Sequence, residues 1–484
     1  MKKLFLSISV VSLLGLTSCI NDDPDYNKDD GKLYDVPAQT LLSNVEKSLT
    51  DQMTTPNVNS NVFRFFQQYW ATTMYQNDAR FNFTGTRKVP DNHWTTLYRR
   101  LGDLKSAKEI VNKEVKPSSQ DQAEFDKIQK NKIAVLDLVQ VYIYQIIVDS
   151  FGDVPYKESL DPLNVLPKYD NDQDIYPDLI ARVNKDLADM DISQGSFTTG
   201  DFFYNGNVAK WVEFGNSLKI KLGINLADVD AALAKTTIES AFAGAIKDES
   251  QNTVFAYPST SPNYNPIYAN VIASNRSDFV PADTFVNRLV ELGDPRINGY
   301  FTKNNDGIYK GGVVGKSNTY SALSHISDVL VKADAPGYLF QNYEINFYLA
   351  EAASRGFSVG GSAKDFYEKA VTQSIIANGG TETDAVAYLA KSEVSFSAAN
   401  WKKLIGEQSW IAFFNRPFES WNSYRRLDYP ILSAPNAVAA ADGKVPTRYT
   451  YPINEQTVNN ANWQAAGKAI GGDKLTTKVF WDIF

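Results

Sequence analysis

Residues 122–148, QAEFDKIQKNKIAVLDLVQVYIYQIIV, constrain the fold more than any other stretch of the sequence. Their apolar residues recur near the 3.6-residue spacing of a buried helical face. These residues are Phe125, Ile128, Ile133, Leu136, Val139, Ile143 and Ile146. Residues 172–190 and 207–227 repeat the pattern. The first half of the chain is therefore predicted to be mostly helical and to form antiparallel hairpins.

A second pair of segments predicts closely packed helices. YEINFYLAEAASRG (343–356) carries several alanines before a terminal glycine, and AKDFYEKAVTQSI (363–375) places Ala363, Tyr367 and Ala370 on one helical face. Small residues opposite aromatic residues let two helices approach closely, as in tetratricopeptide-type hairpins. No clean 34-residue period recurs elsewhere, so any further repeats are degenerate.

Residues 250–330 have a different composition. They are rich in Asn, Ser, Gly, Pro and Tyr, as in YPSTSPNYNPIYANVIASNRSDF (257–279) and GYFTKNNDGIYKGGVVGKSNTY (299–320). Such composition is typical of loops and short hairpins. Because structured loops on a rigid scaffold commonly carry function, this region is expected to contribute to a binding site.

The only cysteine, Cys19, ends a bacterial lipobox, Leu16-Thr17-Ser18-Cys19. Two lysines and an apolar run precede it, which is the layout of a secretion signal and is too short to span a bilayer. We predict a lipoprotein signal peptide at 1–18, followed at 19–36 by an acylated Cys19 and a flexible acidic tether. The acidic residues after Cys19 resemble the surface-export signal of Bacteroidetes-type lipoproteins. The alternative is an ordinary signal peptide whose cysteine is discarded.

Composition narrows the class of partner. The formal charge is −8 and the basic residues are dispersed, which argues against nucleic acid as a partner. Aromatic residues make up 13% of the chain. Tyr and Trp suit glycan and peptide sites because each ring has an apolar face and a polar tip, although most such rings fill cores.

No catalytic, metal or cofactor site emerges from the motifs. GFSVG (356–360) follows a predicted helix rather than a strand, and no histidine comes after it to complete a triad. GGVVGKS (311–317) has Lys310 where a phosphate-binding loop requires glycine. Two histidines and one cysteine argue against a transition-metal site. Two functions are not excluded by the sequence. The acidic run 169–174 has side-chain oxygens suited to calcium, although it lacks the loop pattern of a calcium site. Paired carboxylates for glycoside hydrolysis have no sequence signature, so the sequence does not test for them.

Six segments in order carry a family resemblance. They are DSFGDVPYKESL (149–160), WVEFGNSLKIKL (211–222), GDPRI (293–297), NFYLAEAA (346–353), SWNSYRRLDYP (420–430) and RYTYPINEQTVNN (448–460). In this order and spacing, and with the lipobox, the chain resembles the SusD/RagB-like nutrient-binding outer-membrane lipoproteins. The segments and the lipobox together span nearly the whole chain.

The resemblance implies a mostly α-helical fold in one domain, residues 37–484. Tetratricopeptide-like hairpins would form an α-superhelical scaffold, mainly at 37–230 and 340–380. A loop-rich lobe containing short β-hairpins would occupy mainly 231–339 and 381–484. The resemblance also implies a lipid-anchored protein exposed on the outer membrane, without catalysis or cofactor. Its expected partners are a SusC-like TonB-dependent transporter and an oligosaccharide or peptide ligand.

Two stretches supply the groups that a sugar site needs, an aromatic platform with planar polar partners. YWATTMYQNDARFNF (69–83) and NYNPIYANVIASNR (263–276) are both predicted to bind ligand. The candidate residues are Trp70, Tyr75, Asn77, Arg80, Phe81, Tyr264, Asn265, Tyr268 and Arg276. For Trp70, which lies near an apolar helix face, a place in the core is an equal alternative.

The sequence is compatible with three other functions. A peptide-capturing protein would use the same architecture. A structural adaptor would hold a partner protein without contacting nutrient. A surface glycosidase ranks last, because no catalytic motif supports it.

Overall fold

Helices dominate the computed structural model, which describes residues 36–83 and 87–484. Numbered in chain order, they are α1 (Ala38–Thr54), α2 (Phe63–Phe66), α3 (Val89–Val111), α4 (Gln122–Phe151), α5 (Asp172–Asp189), α6 (Val208–Asn225), α7 (Ala231–Ala241), α8 (Pro266–Tyr268), α9 (Asp283–Leu292), α10 (Ile297–Tyr300), α11 (Asn342–Ser354), α12 (Ala363–Ala377), α13 (Glu382–Leu389), α14 (Trp401–Ala412), α15 (Pro417–Leu427), α16 (Ile453–Val458) and α17 (Asn460–Ala469). The strands are β1 (Trp70–Thr72), β2 (Thr253–Phe255), β3 (Phe279–Pro281) and β4 (Gly337–Phe340). The predicted signal peptide, Cys19 and nearly all of the tether lie outside the described residues.

Helix α4 contains the stretch from which the helical prediction starts. Asp121 caps it by accepting hydrogen bonds from the backbone N–H groups of Ala123 and Glu124, and Gly152 ends it at φ +80°. From Ala134 onward nearly every residue is buried. The helix is long and apolar enough to span a bilayer, but 89% of its most apolar window is buried inside this protein. Its apolar character is therefore accounted for by its central place in the fold.

The scaffold is a series of helices that each pack against the next. Helix α3 lies between α1 and α4, and the series continues through α5, α6 and α7. The predicted close pair is α11 and α12, which form the most extensive helix contact and rest on α6 through α11. The side chains of Ala350, Ala352, Tyr367 and Ala370 are completely buried. The mostly α-helical, tetratricopeptide-like fold is confirmed.

The lobe outside the scaffold differs from the expectation in two ways. Residues 401–469 contain α14 to α17 and are more helical than a loop-rich segment. These helices are short and are separated by Pro, Gly and Asn, which gives the whole segment a loop-like average composition. The described strands pair across long sequence separations, β1 with β3 and β2 with β4, and both pairs are antiparallel. They are ribbons between distant segments rather than local hairpins.

Asp149 is the centre of a buried polar network between the scaffold and the second half of the chain. Its side chain is 0% exposed. Five side chains donate hydrogen bonds to its carboxylate: Gln145, Tyr176, Asn225, Asn422 and Trp481. Arg425 donates to the Asp149 carbonyl at 2.7 Å and lies over the Trp421 ring at 3.5 Å. The segments around 149 and 425 therefore hold each other in place.

The other segments that carry the family resemblance also contribute buried charges. Arg426 pairs with Glu351 (Nη2–Oε2, 3.0 Å), and Arg296 pairs with Asp294 (Nη2–Oδ2, 2.6 Å). Two further buried pairs are Lys221 with Glu419 and Arg448 with Asp473. Buried charges are tolerated only when they are paired and hydrogen-bonded, so these segments have a structural role.

Candidate ligand-binding cleft

The pairing of β1 with β3 brings the two predicted ligand-binding stretches together. Trp70 lies opposite Pro281, and Thr72 lies opposite Phe279. Because the strands are antiparallel, the chain leaves Thr72 and enters Phe279 at the same end of the ribbon. Just beyond that end, the N–H of Thr73 donates to the carbonyl of Asp278 at 2.9 Å. The loops that follow 72 and precede 279 are thereby neighbours.

A cavity of about 270 Å³ opens between these loops. The segment that follows α1 closes its third side, and we call this cavity the cleft. Its lining residues are Pro56, Asn57, Val58, Asn59, Thr72, Met74, Tyr75, Asp78, Arg87, Asn270, Arg276, Asp278 and Phe279. Of the predicted ligand-binding residues, Tyr75 and Arg276 are both present.

Tyr75 presents its ring at the mouth of the cleft. Its side chain is 59% exposed, and its backbone has a φ of +58°. A non-glycine residue in the left-handed region is uncommon and often marks a functional position. The guanidinium of Arg87 lies 6.0 Å from the ring centroid. The ring is thus held in the open with a cation beside it.

Asp78 and Arg87 form a polar part of the wall of the cleft. Asp78 is 1% exposed, and its Oδ1 lies 3.1 Å from Nε of Arg87. Within residues 36–83 and 87–484, neither carboxylate oxygen of Asp78 accepts a hydrogen bond. Burial raises the pKa of Asp78 to about 6, and the positive charge of Arg87 opposes that shift. Arg87 also donates to Oδ1 of Asn59 at 3.2 Å.

A second Arg–Asp pair lies at the rim. Nε of Arg276 is 3.8 Å from Oδ2 of Asp278, and the Arg276 side chain is 60% exposed. This pair is longer than the Asp78–Arg87 pair, and solvent screens it. The exposed guanidinium of Arg276 is accessible to a ligand.

Three of the predicted residues are buried and do not line the cleft. Trp70 is 2% exposed, with its ring between the guanidinium of Arg64 (5.0 Å) and the ring of Phe279 (5.3 Å). Phe81 is 0% exposed. Asn265 is also 0% exposed; its side chain caps α8 and donates to the Ala335 carbonyl at 2.7 Å. Each of these residues packs inside the protein, within one of the two stretches predicted to bind ligand.

The other four predicted residues are accessible but do not line the cleft. Asn77 and Arg80 are exposed, and Arg80 donates to the carbonyl of Gly315 at 2.7 Å. Tyr264 and Tyr268 are half-buried and pack edge to face with ring centroids 5.0 Å apart. They belong to the stretch that supplies Asn270 and Arg276 to the cleft.

Sequence reasoning missed most of the polar lining. Asp78 lies inside the stretch 69–83, but an aspartate has no signature that distinguishes it from an exposed one. Asn57 and Asn59 belong to PNVNS (56–60), a loop composition that could have drawn attention. Arg87 and Asp278 reach the cleft only through tertiary structure.

A larger cavity of about 530 Å³ lies between Phe83, Tyr451 and Leu475. Its walls are mainly apolar, and its two carboxylates are already engaged. Asp91 accepts from the N–H of Asn454 at 3.2 Å, and Asp473 accepts from Arg448 at 2.8 Å. The lining of the cleft is proportionally more polar than the lining of this cavity, so the cleft is the stronger candidate site for a sugar.

Metal-ligating residues do not cluster in the described part of the chain, where no group of three or more His, Cys, Asp and Glu side chains could hold an ion. The polar side-chain groups of the cleft are two guanidiniums, two carboxylates, three amides and two hydroxyls. This set can donate and accept hydrogen bonds to a hydroxylated ligand.

Residues 30–452 match the SusD-like family, described as starch-binding and associating with the outer membrane. The chain belongs to this family. Among solved structures, it is similar to a chitin-binding protein at 25% identity and a TM-score of 0.78, covering 92% of this chain and 100% of that one. A chitin-binding SusD homologue from Flavobacterium johnsoniae matches at 22% identity and a TM-score of 0.76, covering 92% of this chain and 97% of that one. A SusD homologue from Bacteroides uniformis matches at 23% identity and a TM-score of 0.75, covering 92% and 99%. No curated protein matches this chain.

Proposed function

We propose that this chain is a lipid-anchored surface protein that binds a nutrient oligosaccharide and delivers it to a SusC-like TonB-dependent transporter in the outer membrane. The observation that carries the proposal is the cleft, where an exposed Tyr75 ring stands beside paired guanidiniums, carboxylates and amides. Membership of a family described as starch-binding supports a glycan over a peptide.

The cleft has the chemistry that a sugar ring requires. One face of a pyranose presents C–H groups, which pack on an aromatic ring such as Tyr75. The hydroxyls around the ring need partners that donate and accept in one plane, and these are supplied by Arg87 and by the amides of Asn57 and Asn270. We further propose that Tyr264 and Tyr268, with Asn77 and Arg80, contact a ligand that extends beyond the cleft.

Isothermal titration tests glycan binding. A soluble form that begins near residue 29 is titrated with N-acetylchitopentaose, maltoheptaose and a panel of other oligosaccharides. We expect at least one to bind, with Tyr75→Ala weakening it about tenfold because one aromatic platform contributes on the order of 1–2 kcal/mol.

Phe202→Ala is the matched control, because Phe202 is an exposed aromatic residue (51%) in the segment that packs on the middle of α1. It should bind like the unmodified protein. Absence of heat with every glycan, together with binding of peptides, would replace the glycan proposal with the peptide-capturing one. Co-purification of the full-length protein with a TonB-dependent transporter tests delivery.

A further inference from the structure

Asp78 is a buried acceptor whose hydrogen-bonding capacity is unused. Its carboxylate lies in the wall of the cleft at 1% exposure, and its close polar contacts among the described residues are the ion pair with Arg87 and the N–H of its own backbone. A carboxylate can accept about four hydrogen bonds, and buried polar atoms without partners are rare in folded proteins. The missing donors are therefore expected to come from whatever occupies the cleft.

The charges around the cleft cancel in pairs. Arg87 faces Asp78 at 3.1 Å, and Arg276 faces Asp278 at 3.8 Å. The loop 56–59 that closes the third side contributes amides and apolar groups but no charge. Across the described lining, neither guanidinium is left without a carboxylate beside it. A ligand carboxylate or sulfate would have to displace one of these carboxylates while lying close to the other.

We propose that Asp78 is the specificity-determining residue of the cleft: it accepts hydrogen bonds from the hydroxyl or amide N–H groups of an uncharged oligosaccharide and disfavours glycans that carry carboxylate or sulfate. This inference rests on the proposed function, because it defines the substrate class of the same cleft. Arg87, whose Nε lies 3.1 Å from Oδ1 of Asp78, positions the Asp78 carboxylate.

The inference has a pH signature. A donor from the ligand favours the ionised carboxylate, so binding lowers the pKa of Asp78 from its value of about 6 in the free protein. Affinity is then full above that pH and falls as Asp78 becomes protonated. The titratable groups that face it are Arg87 and Tyr75 on its own side and Arg276 and Asp278 on the other. The pKa of Asp78, about 6, lies between the two pH values of the test, so its carboxyl changes ionisation within this range.

The test is titration of the soluble protein and of Asp78→Asn at pH 7.5 and pH 5.0. The neutral probes are N-acetylchitopentaose and maltoheptaose, and the charged probes are oligogalacturonate and a chondroitin sulfate oligosaccharide. For the neutral probe that binds, we expect affinity about tenfold weaker at pH 5.0, and at pH 7.5 a loss of about 10- to 100-fold in Asp78→Asn, since hydrogen bonds to charged groups are strong. Asp78→Asn should also lose the pH dependence, and both charged probes should bind at least about tenfold more weakly than the neutral one.

The controls separate the possible outcomes. Asp126→Asn removes an exposed carboxylate at the start of α4 and should bind normally. Asp78→Asn keeps the shape of the side chain, and the pH profile of the unmodified protein gives a second measurement that does not depend on any variant. Equal or tighter binding of a charged probe, or unchanged neutral binding in Asp78→Asn, overturns the inference while glycan binding stands. No binding of any probe contradicts both the inference and the proposed function.

Discussion

Asp78 and Asp149 are both buried aspartates, and their surroundings are opposite. Asp149 is 0% exposed and accepts hydrogen bonds from five side chains, whereas Asp78 is 1% exposed and accepts none from the described residues. Burial raises the pKa of both carboxyls. A buried carboxylate whose oxygens accept several hydrogen bonds stabilises the fold. A buried carboxylate without such donors, in the wall of a cavity, is available to a ligand.

The same contrast separates two regions of the molecule. The six segments that carry the family resemblance supply buried charges, either to the network around Asp149 or to the other buried ion pairs. Among the described residues that line the cleft, none comes from those segments. The resemblance therefore identifies the fold, and the cleft loops must be analysed on their own chemistry to identify the ligand.

The largest expected effect comes from Asp149→Ala. Removing this carboxylate leaves several buried donors without an acceptor, so we expect the free energy of unfolding to fall by about 3–5 kcal/mol. Asp78→Ala is the comparison, and its unfolding free energy should change by no more than about 1 kcal/mol, because the Arg87 side chain is partly exposed to water and keeps Asn59 as a partner. At pH 7 we expect Asp78→Ala to stabilise the protein slightly. A carboxyl whose pKa is raised on folding stabilises the folded state only at pH values where it is protonated, so at pH 7 the ionised Asp78 is unfavourable. Urea denaturation of both variants at pH 7 measures this difference, and equal losses would remove the distinction between the two aspartates.

A smaller effect is expected for Arg426→Met. Arg426 is 2% exposed and pairs with Glu351, which keeps a second partner in Arg355 at 3.0 Å. Because Glu351 is not left unpaired, the loss should be about 2–3 kcal/mol. The matched change in the cleft is Arg276→Met, where the exposed pair contributes within about 0.5 kcal/mol. A stability loss in Arg276→Met as large as that in Arg426→Met would show that the rim pair belongs to the fold.

The smallest effect concerns two glycines of the scaffold helices. Gly152 ends α4 with φ +80°, so Gly152→Ala should destabilise the protein by about 1–2 kcal/mol. Gly102 lies within α3, and no atom lies within 4 Å of the position that an alanine Cβ would take, so Gly102→Ala should stabilise by up to about 1 kcal/mol. Thermal unfolding of the two variants should move the midpoint in opposite directions. Neither substitution should alter glycan binding.

The helical scaffold could be predicted from sequence because its signal is local. The spacing of apolar residues in 122–148 and the alanines of 343–375 state which faces are buried without reference to the rest of the chain. The helices at 401–469 are underestimated from sequence, because each is short and the intervening Pro, Gly and Asn dominate the composition.

The cleft could be predicted only in outline. Tyr75 and Arg276 can be identified from residue type, but their proximity depends on the pairing of Thr72 with Phe279, about 200 residues apart in the chain. Trp70 and Tyr75 are equally plausible platforms in sequence, and only the strand at 70–72 decides that the first is buried. Asp78 could not be singled out, since its significance lies in donors that are missing from its three-dimensional surroundings.

The most direct test of ligand binding in the cleft is a crystal structure of the protein with the oligosaccharide that titration identifies as a ligand. We predict a sugar ring packed on the face of Tyr75 and a ligand hydroxyl or amide nitrogen about 2.6–3.2 Å from a carboxylate oxygen of Asp78. A glycan bound elsewhere on the protein, with both oxygens of Asp78 still lacking a donor, would contradict this prediction.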